Sequence, residues 1–328
     1  MLTKIRIESE DVKPQEKFQA LRSYSYIALV VSSYIVVSIC MVIYNKRVLN
    51  QFGGCPLIFL CGQLFIAATV LKFCMQLKLL EPIPSVTKSD LKELLPLISI
   101  NVFGLCMNTM CLKYVDAMMY QVARSLVLPI TLLLTFLQNR KSEAKTDLTI
   151  ATISCCCVIF IGFVIGMNLQ NISAVSTQGL LFSLASSFTT SIHSIIIKRS
   201  FSQSTSKKFE AWGLVYLNNY LSCFLLAPIA LFFEYGSLMD TKSYSVSMLL
   251  YGILVSGCIG LLINYASFLQ IHVTSPLTHT VSSAARGVLQ SLVARHVLNE
   301  EISPQRLLGI LVTLAGTTLY SICKSLKI

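Results

Sequence analysis

Residues 246–270 read VSMLLYGILVSGCIGLLINYASFLQ, twenty-five consecutive positions without Asp, Glu, Lys or Arg. A helix rising 1.5 Å per residue needs about 20 apolar residues to cross a hydrocarbon core of about 30 Å, so this stretch is long enough to span a bilayer. Working outward, further apolar windows bounded by charges fall near residues 24–44, 56–77, 94–112, 118–137, 148–166, 177–197, 211–233, 276–298 and 305–323. With 246–270 they make ten expected spans. The composition agrees: the 328 residues are 54% hydrophobic and 12% charged, against about 25% charged in soluble domains. A soluble enzyme is excluded. The net charge of +11 forms no basic stripe on a polar domain, so nucleic acid is not the expected partner; the lipid bilayer is.

The expectation is an all-α membrane protein of ten transmembrane helices. One transporter-sized domain covers 24–323, between an amino-terminal tail (1–23) and a carboxyl-terminal tail (324–328). Lysine and arginine set the orientation, because cytoplasmic loops keep an excess of them. If the amino terminus is inside, seventeen of the 26 basic residues fall on the cytosolic side and only Lys46, Arg47, Lys113 and Lys242 on the other. Both tails are therefore expected to be cytosolic.

Five basic residues remain, and they lie within spans: Lys72, Arg124, Arg286, Arg295 and Arg306. Lys72, Arg295 and Arg306 sit near span ends, where a long side chain snorkels to the headgroups. Arg124 and Arg286 lie deeper, where an uncompensated arginine costs roughly 2.5–3.5 kcal/mol on insertion scales. All 15 acids fall in tails, loops or span ends on this map, so no carboxylate neutralises either one. A positive cavity without an internal counter-ion is completed by an anionic ligand, and guanidinium offers paired donors to phosphate oxygens. The alternative is that each arginine caps backbone carbonyls or reaches solvent.

The chain divides near residue 170 into two sets of five spans, 24–170 and 171–323. Odd-numbered sets with the same connectivity insert in opposite senses, which predicts a 5+5 inverted repeat. Val122-Ala123-Arg124-Ser125 and Ala284-Ala285-Arg286-Gly287 occupy the penultimate span of each half, and transporters built this way bind substrate near the midplane between the halves. Pro129 and Pro276 mark both arginine-bearing helices for a kink or an interruption. Small residues Ser183, Ala185, Ser186 and Ser187, and Ser282 to Ala285, suit ordinary membrane helix packing. The 12 cysteines form no C-x-x-C pair and read as packing residues. No catalytic motif, cofactor loop or zinc spacing appears, so neither an enzyme nor a metal site is expected. A sequon, Asn171-Ile172-Ser173, falls in a loop on the non-cytosolic side.

At this point the residues resemble a family. Leu269-Gln270-Ile271-His272-Val273-Thr274-Ser275-Pro276-Leu277-Thr278-His279-Thr280-Val281-Ser282 resembles the entry to the ninth span of GDP-fucose transporters. These belong to the nucleotide-sugar and triose-phosphate translocator group of the drug/metabolite transporter superfamily. Cys111-Leu112-Lys113-Tyr114-Val115 and Tyr120-Gln121-Val122-Ala123-Arg124-Ser125-Leu126 are similar to that family's C-L-K-Y-V and Y-x-V-x-R-S-L, and Tyr44-Asn45-Lys46 to its N-K. Tyr216-Leu217-Asn218-Asn219 is similar to the F-Y-N-N of GDP-sugar transporters, matching in both asparagines. The GDP-fucose pattern H-N-V-S-G-T-A-K stands here as His279-Thr280-Val281-Ser282-Ser283-Ala284-Ala285-Arg286, with arginine in place of lysine. The G-A-L-N-K of GDP-mannose transporters is absent, and the Lys-Arg pair of triose-phosphate translocators is replaced by Arg286-Gly287.

The resemblance implies a secondary active transporter, a Golgi antiporter that imports GDP-fucose or a related GDP-sugar in exchange for GMP. It implies Arg124 and Arg286 at the phosphates and Asn218 and Asn219 at the base, with one of these two facing it squarely. Tyr120, Thr278, His279 and Ser282 would hydrogen-bond ribose or sugar. No cofactor is implied. A homodimer and residence in the endoplasmic reticulum stay open, as do a sugar-phosphate translocator, another nucleotide sugar, and a membrane scaffold or receptor.

Overall fold

A computed structural model describes residues 14–51, 55–141, 149–167, 177–200, 211–239, 246–274, 276–298 and 303–326. The regular elements among these residues are all helical: α1 (Pro14–Gln51), α2 (Pro56–Gln76), α3 (Lys88–Tyr114), α4 (Ala117–Arg124), α5 (Val127–Lys141), α6 (Ile150–Gly166), α7 (Thr177–Ser200), α8 (Ala211–Met239), α9 (Val246–Val273), α10 (Pro276–Leu298) and α11 (Pro304–Leu326). Among the described residues eight stretches are long and apolar enough to cross a membrane: seven of these helices (α1, α2, α3, α7, α8, α9 and α11) and Met119–Gln138, which runs through α4 and α5. The window expected at 148–166 holds the shorter α6, of 17 residues, and the one at 276–298 holds the more polar α10. The sequon at Asn171 lies outside the described residues.

The window at 118–137 holds two helices, and Pro129 explains why. Its ring lacks an N–H and crowds the carbonyl of Ser125 four residues back. At that point Ser125 and Leu126 donate to the carbonyls of Val122 and Ala123, both at 3.2 Å, in the tighter i−3 pattern. Carbonyls beside the break find partners on α7: Ser187 Oγ donates to Ala123 O at 2.7 Å and Ser191 Oγ to Val127 O at 3.0 Å. The small residues expected to serve packing alone thus also satisfy a broken backbone, as non-helical turns at membrane depth require.

Two charged side chains cap helix ends at a distance. α1 runs to Gln51, seven residues past its expected span, so Lys46 is not a loop residue. It is buried, and its Nζ donates to the carbonyls of Leu112 (2.8 Å), Lys113 (3.3 Å) and Val115 (2.7 Å). A cation there complements the negative end of α3 and closes its orphan carbonyls. Glu234 of α8 does the converse for α2. With Pro56 at the first turn lacking an N–H, its carboxylate accepts from Leu57 N at 2.9 Å and Ile58 N at 2.8 Å.

The principal helix pairings are α6 with α11, α3 with α7, α2 with α8 and α9, and α1 with α9. The first is the closest. A Cβ on Gly309 would lie 2.4 Å from Gly166 Cα, and one on Gly162 2.9 Å from Gly309 O. Gly162 and Gly166 form the small-x-x-x-small spacing that lets membrane helices touch along their backbones, where dispersion rather than hydrophobic burial drives association.

Candidate functional site

Arg124 ends α4, directly before the break, and Arg286 lies ten residues into α10. Both line one cavity of about 460 Å³, with Gln121, Ser125, Thr131 and Ser283 among their neighbours. Arg124 Nη1 donates to Tyr120 Oη at 3.0 Å, and its guanidinium lies over the same ring, 5.6 Å from the centroid. Arg286 is buried, and its Nη1 donates to Ser38 Oγ of α1. Among the described residues neither guanidinium has a carboxylate partner, and Arg286 Nε has no partner at all. Charge this deep without a counter-ion is a large cost that a bound anion offsets.

α10 meets α4 at Gly287, where a Cβ would sit 2.2 Å from Gln121 Nε2. Gln290 Nε2 then donates to Ala117 O at 3.2 Å. At the start of α4, Arg306 of α11 pairs with Asp116 at 2.9 Å, so the residue expected as a headgroup anchor is instead an inter-helix tie.

Much of the remaining wall is hydroxylated. Thr131, Thr190, Ser194, Thr313 and Thr317 line the cavity, and each donates its hydroxyl proton to a carbonyl three or four residues back in its own helix. Their lone pairs stay available, so this wall accepts hydrogen bonds while the arginines donate them. A ligand that joins anionic oxygens to donor hydroxyls fits both.

A smaller cavity of about 160 Å³ shares Arg124 and Thr190 with the first and adds Asn101, Asn108 and His193. Asn101 Nδ2 donates to Asn218 Oδ1 at 3.1 Å, which ties Asn218 of α8 to the arginine site. Asn219, one position on, is buried with Nδ2 unpartnered among the described residues. Tyr120 acts through Arg124. Ser282 accepts from Gln270 Nε2 of α9, whereas its neighbour Ser283 lines the cavity. Thr278 and His279 stand on α10 about two turns before Arg286, but their side chains lie outside those described. Sequence reasoning missed Asn101, Ser38 and the threonine wall, because a polar residue in an apolar helix does not announce which face it is on. A larger cavity of about 770 Å³, walled by Val102, Phe103, Met107, Ile229 and Phe233, lacks paired cations.

The matching family and the similar proteins are transporters, not enzymes, in keeping with a helical bundle with a charged interior. The family model described as Triose-phosphate Transporter family matches residues 25–321, and the chain belongs to that family. It is 31% identical over 308 residues to GDP-fucose transporter 1 of Dictyostelium discoideum, covering 91% of this chain and 81% of that protein. It is 30% identical over 305 residues to GDP-fucose transporter 1 of Mus musculus, covering 89% and 81%. An uncharacterized transporter of Schizosaccharomyces pombe is 29% identical over 330 residues, covering 98% and 81%. One solved crystal structure superposes with a TM-score of 0.56 at 13% identity, covering 91% of this chain and 98% of that one; it bears on the fold alone.

Proposed function

We propose that the protein is a nucleotide-sugar antiporter that carries a GDP-sugar, GDP-fucose first, into the Golgi lumen in exchange for GMP. The observation that carries this reading is the pair of guanidiniums without carboxylates, Arg124 and Arg286, on one cavity with a hydroxyl wall. The similarity to GDP-fucose transporters over about nine-tenths of the chain supports the choice of substrate. Arg124 and Arg286 take the phosphates, the threonine wall accepts from sugar hydroxyls, and Asn218 and Asn219 stand on the base side. Thr278 and His279 add hydrogen bonds along α10, Ser283 takes the place on the cavity expected of Ser282, and Tyr120 holds Arg124 in place.

In this reading the chain is one domain of ten spans over 24–323, two inverted repeats with both termini cytosolic, multi-pass in the Golgi membrane or the endoplasmic reticulum, as a monomer or a homodimer. Access alternates about the midplane. The principal pairings join helices from the two halves, so the movement falls on the broken α4–α5 span and on α10 rather than on two rigid halves. Exchange follows because an unliganded, repulsive pair of arginines crosses less readily than a neutralised one.

The test is thermal stabilisation of the purified protein by GMP, GDP-sugars, UMP, CMP and triose phosphate, followed by exchange in liposomes. A ligand at 100 times its dissociation constant adds about 2.7 kcal/mol to the folded state. Stabilisation by GMP and GDP-sugars alone is the expected result. Stabilisation by small phosphates alone would make the chain a sugar-phosphate translocator, and none at all would overturn the transport assignment of the cavity.

A further inference from the structure

The Asn101–Asn218 contact leaves two amides half used. Asn101 Nδ2 donates to Asn218 Oδ1, and among the described residues no other hydrogen bond engages either side chain. Asn101 Oδ1 therefore keeps both lone pairs and Asn218 Nδ2 both protons. In this arrangement the free ends are Asn101 Oδ1 and Asn218 Nδ2. Asn101 lines the 160 Å³ cavity, which meets the phosphate cavity at Arg124 and Thr190. Both asparagines are half-buried, so their free amide ends are open to a ligand.

We infer that Asn101 and Asn218 together read the guanine edge of the nucleotide, which makes Asn101 a specificity-determining residue. The inference rests on the nucleotide-sugar reading of the same site. Guanine presents one acceptor, O6, beside two donors, N1–H and the exocyclic amine. Asn218 Nδ2 donates to O6, and Asn101 Oδ1 with its two lone pairs accepts from N1–H and the amine. Adenine offers the reverse order at the first two positions and only a C–H at the third, so in the same register both amides face groups of their own kind. Inosine keeps O6 and N1–H and loses the amine. With the base at the two asparagines, the phosphates extend past Arg124, a side chain common to both cavities, towards Arg286.

The experiment measures binding of GMP, IMP, AMP and UMP to the full-length protein in detergent by calorimetry, for the wild type and for Asn101→Leu. The wild type ranks GMP above IMP and IMP above AMP, which needs no variant and so survives a variant that fails to fold. Asn101→Leu still binds all four nucleotides through the arginines, but its GMP-to-AMP preference falls roughly tenfold to hundredfold, the discrimination a bidentate base contact supplies. An unchanged preference in Asn101→Leu overturns the role of Asn101 and leaves the transporter reading standing. Equal binding of GMP and AMP by the wild type overturns guanine reading by the pair. Failure of the wild type to bind any of the four overturns the nucleotide-sugar reading itself.

Discussion

Arg286→Gln separates what the second arginine does to the empty protein from what it does to the loaded one. Treated as a sphere, a cavity of about 460 Å³ is about 10 Å across, so charges on opposite walls repel by about 1.7 kcal/mol at an effective dielectric of about 20. Glutamine removes that repulsion and the larger cost of a buried guanidinium, while giving up one hydrogen bond from a charged donor to Ser38, a net contribution of roughly 1.5–3 kcal/mol. The empty variant is therefore at least as stable as the wild type. Ligand binding moves the other way. Losing charge-assisted bonds to phosphate costs roughly 1.5–3 kcal/mol, a factor of about 10 to 150 in the dissociation constant. At a ligand concentration that gives the wild type about 2.7 kcal/mol of stabilisation, the variant gains only about 0.3–1.4 kcal/mol. Thermal melts of both proteins, with and without GMP, measure the two effects in one experiment. A variant that melts well below the wild type when empty, yet keeps its full ligand shift, would refute the reasoning, because Arg286 would then be a structural strut.

Three further outcomes follow from the same geometry. Lys46→Met leaves the carbonyls of Leu112, Lys113 and Val115 without their shared donor and lowers stability by about 2–3 kcal/mol; a melting temperature unchanged from the wild type would contradict the capping role. Gly309→Ala forces a methyl against Gly166 Cα at 2.4 Å and costs about 1–3 kcal/mol through strain between α6 and α11, read as a lower melting point with the nucleotide ranking kept. Cys61 and Cys223 place their sulfurs 3.6 Å apart across α2 and α8. Oxidative cross-linking of this pair is expected to leave liposome exchange intact; inhibition reversed by a thiol reductant would show that α2 and α8 separate during transport.

Much of this architecture was open to one-dimensional reading because a bilayer imposes a length and penalises charge. The windows around 56–77 and 246–270 meet α2 and α9 almost to the residue, since nothing but span length and end charges sets them. Pro129 announced an irregularity in the fourth window, for a local steric reason that needs no tertiary contact. The two deep arginines stood out for the same reason of cost, and the motif around Tyr216 to Asn219 pointed to the family.

What the sequence by itself determined is thus a helical membrane protein with two uncompensated cations in its interior, because insertion energetics act on each residue in turn. Only the tertiary structure decided what those residues meet. It placed Arg124 and Arg286 on one cavity, turned Arg306 to Asp116 and Lys46 to the end of α3, and distinguished Asn218, held by Asn101, from Asn219. It also distinguished Ser283, on the cavity, from Ser282, turned to Gln270 of α9. Adjacent helical residues differ by about 100° in direction, and which direction is inward depends on partners more than a hundred residues away, whose arrangement no local pattern encodes.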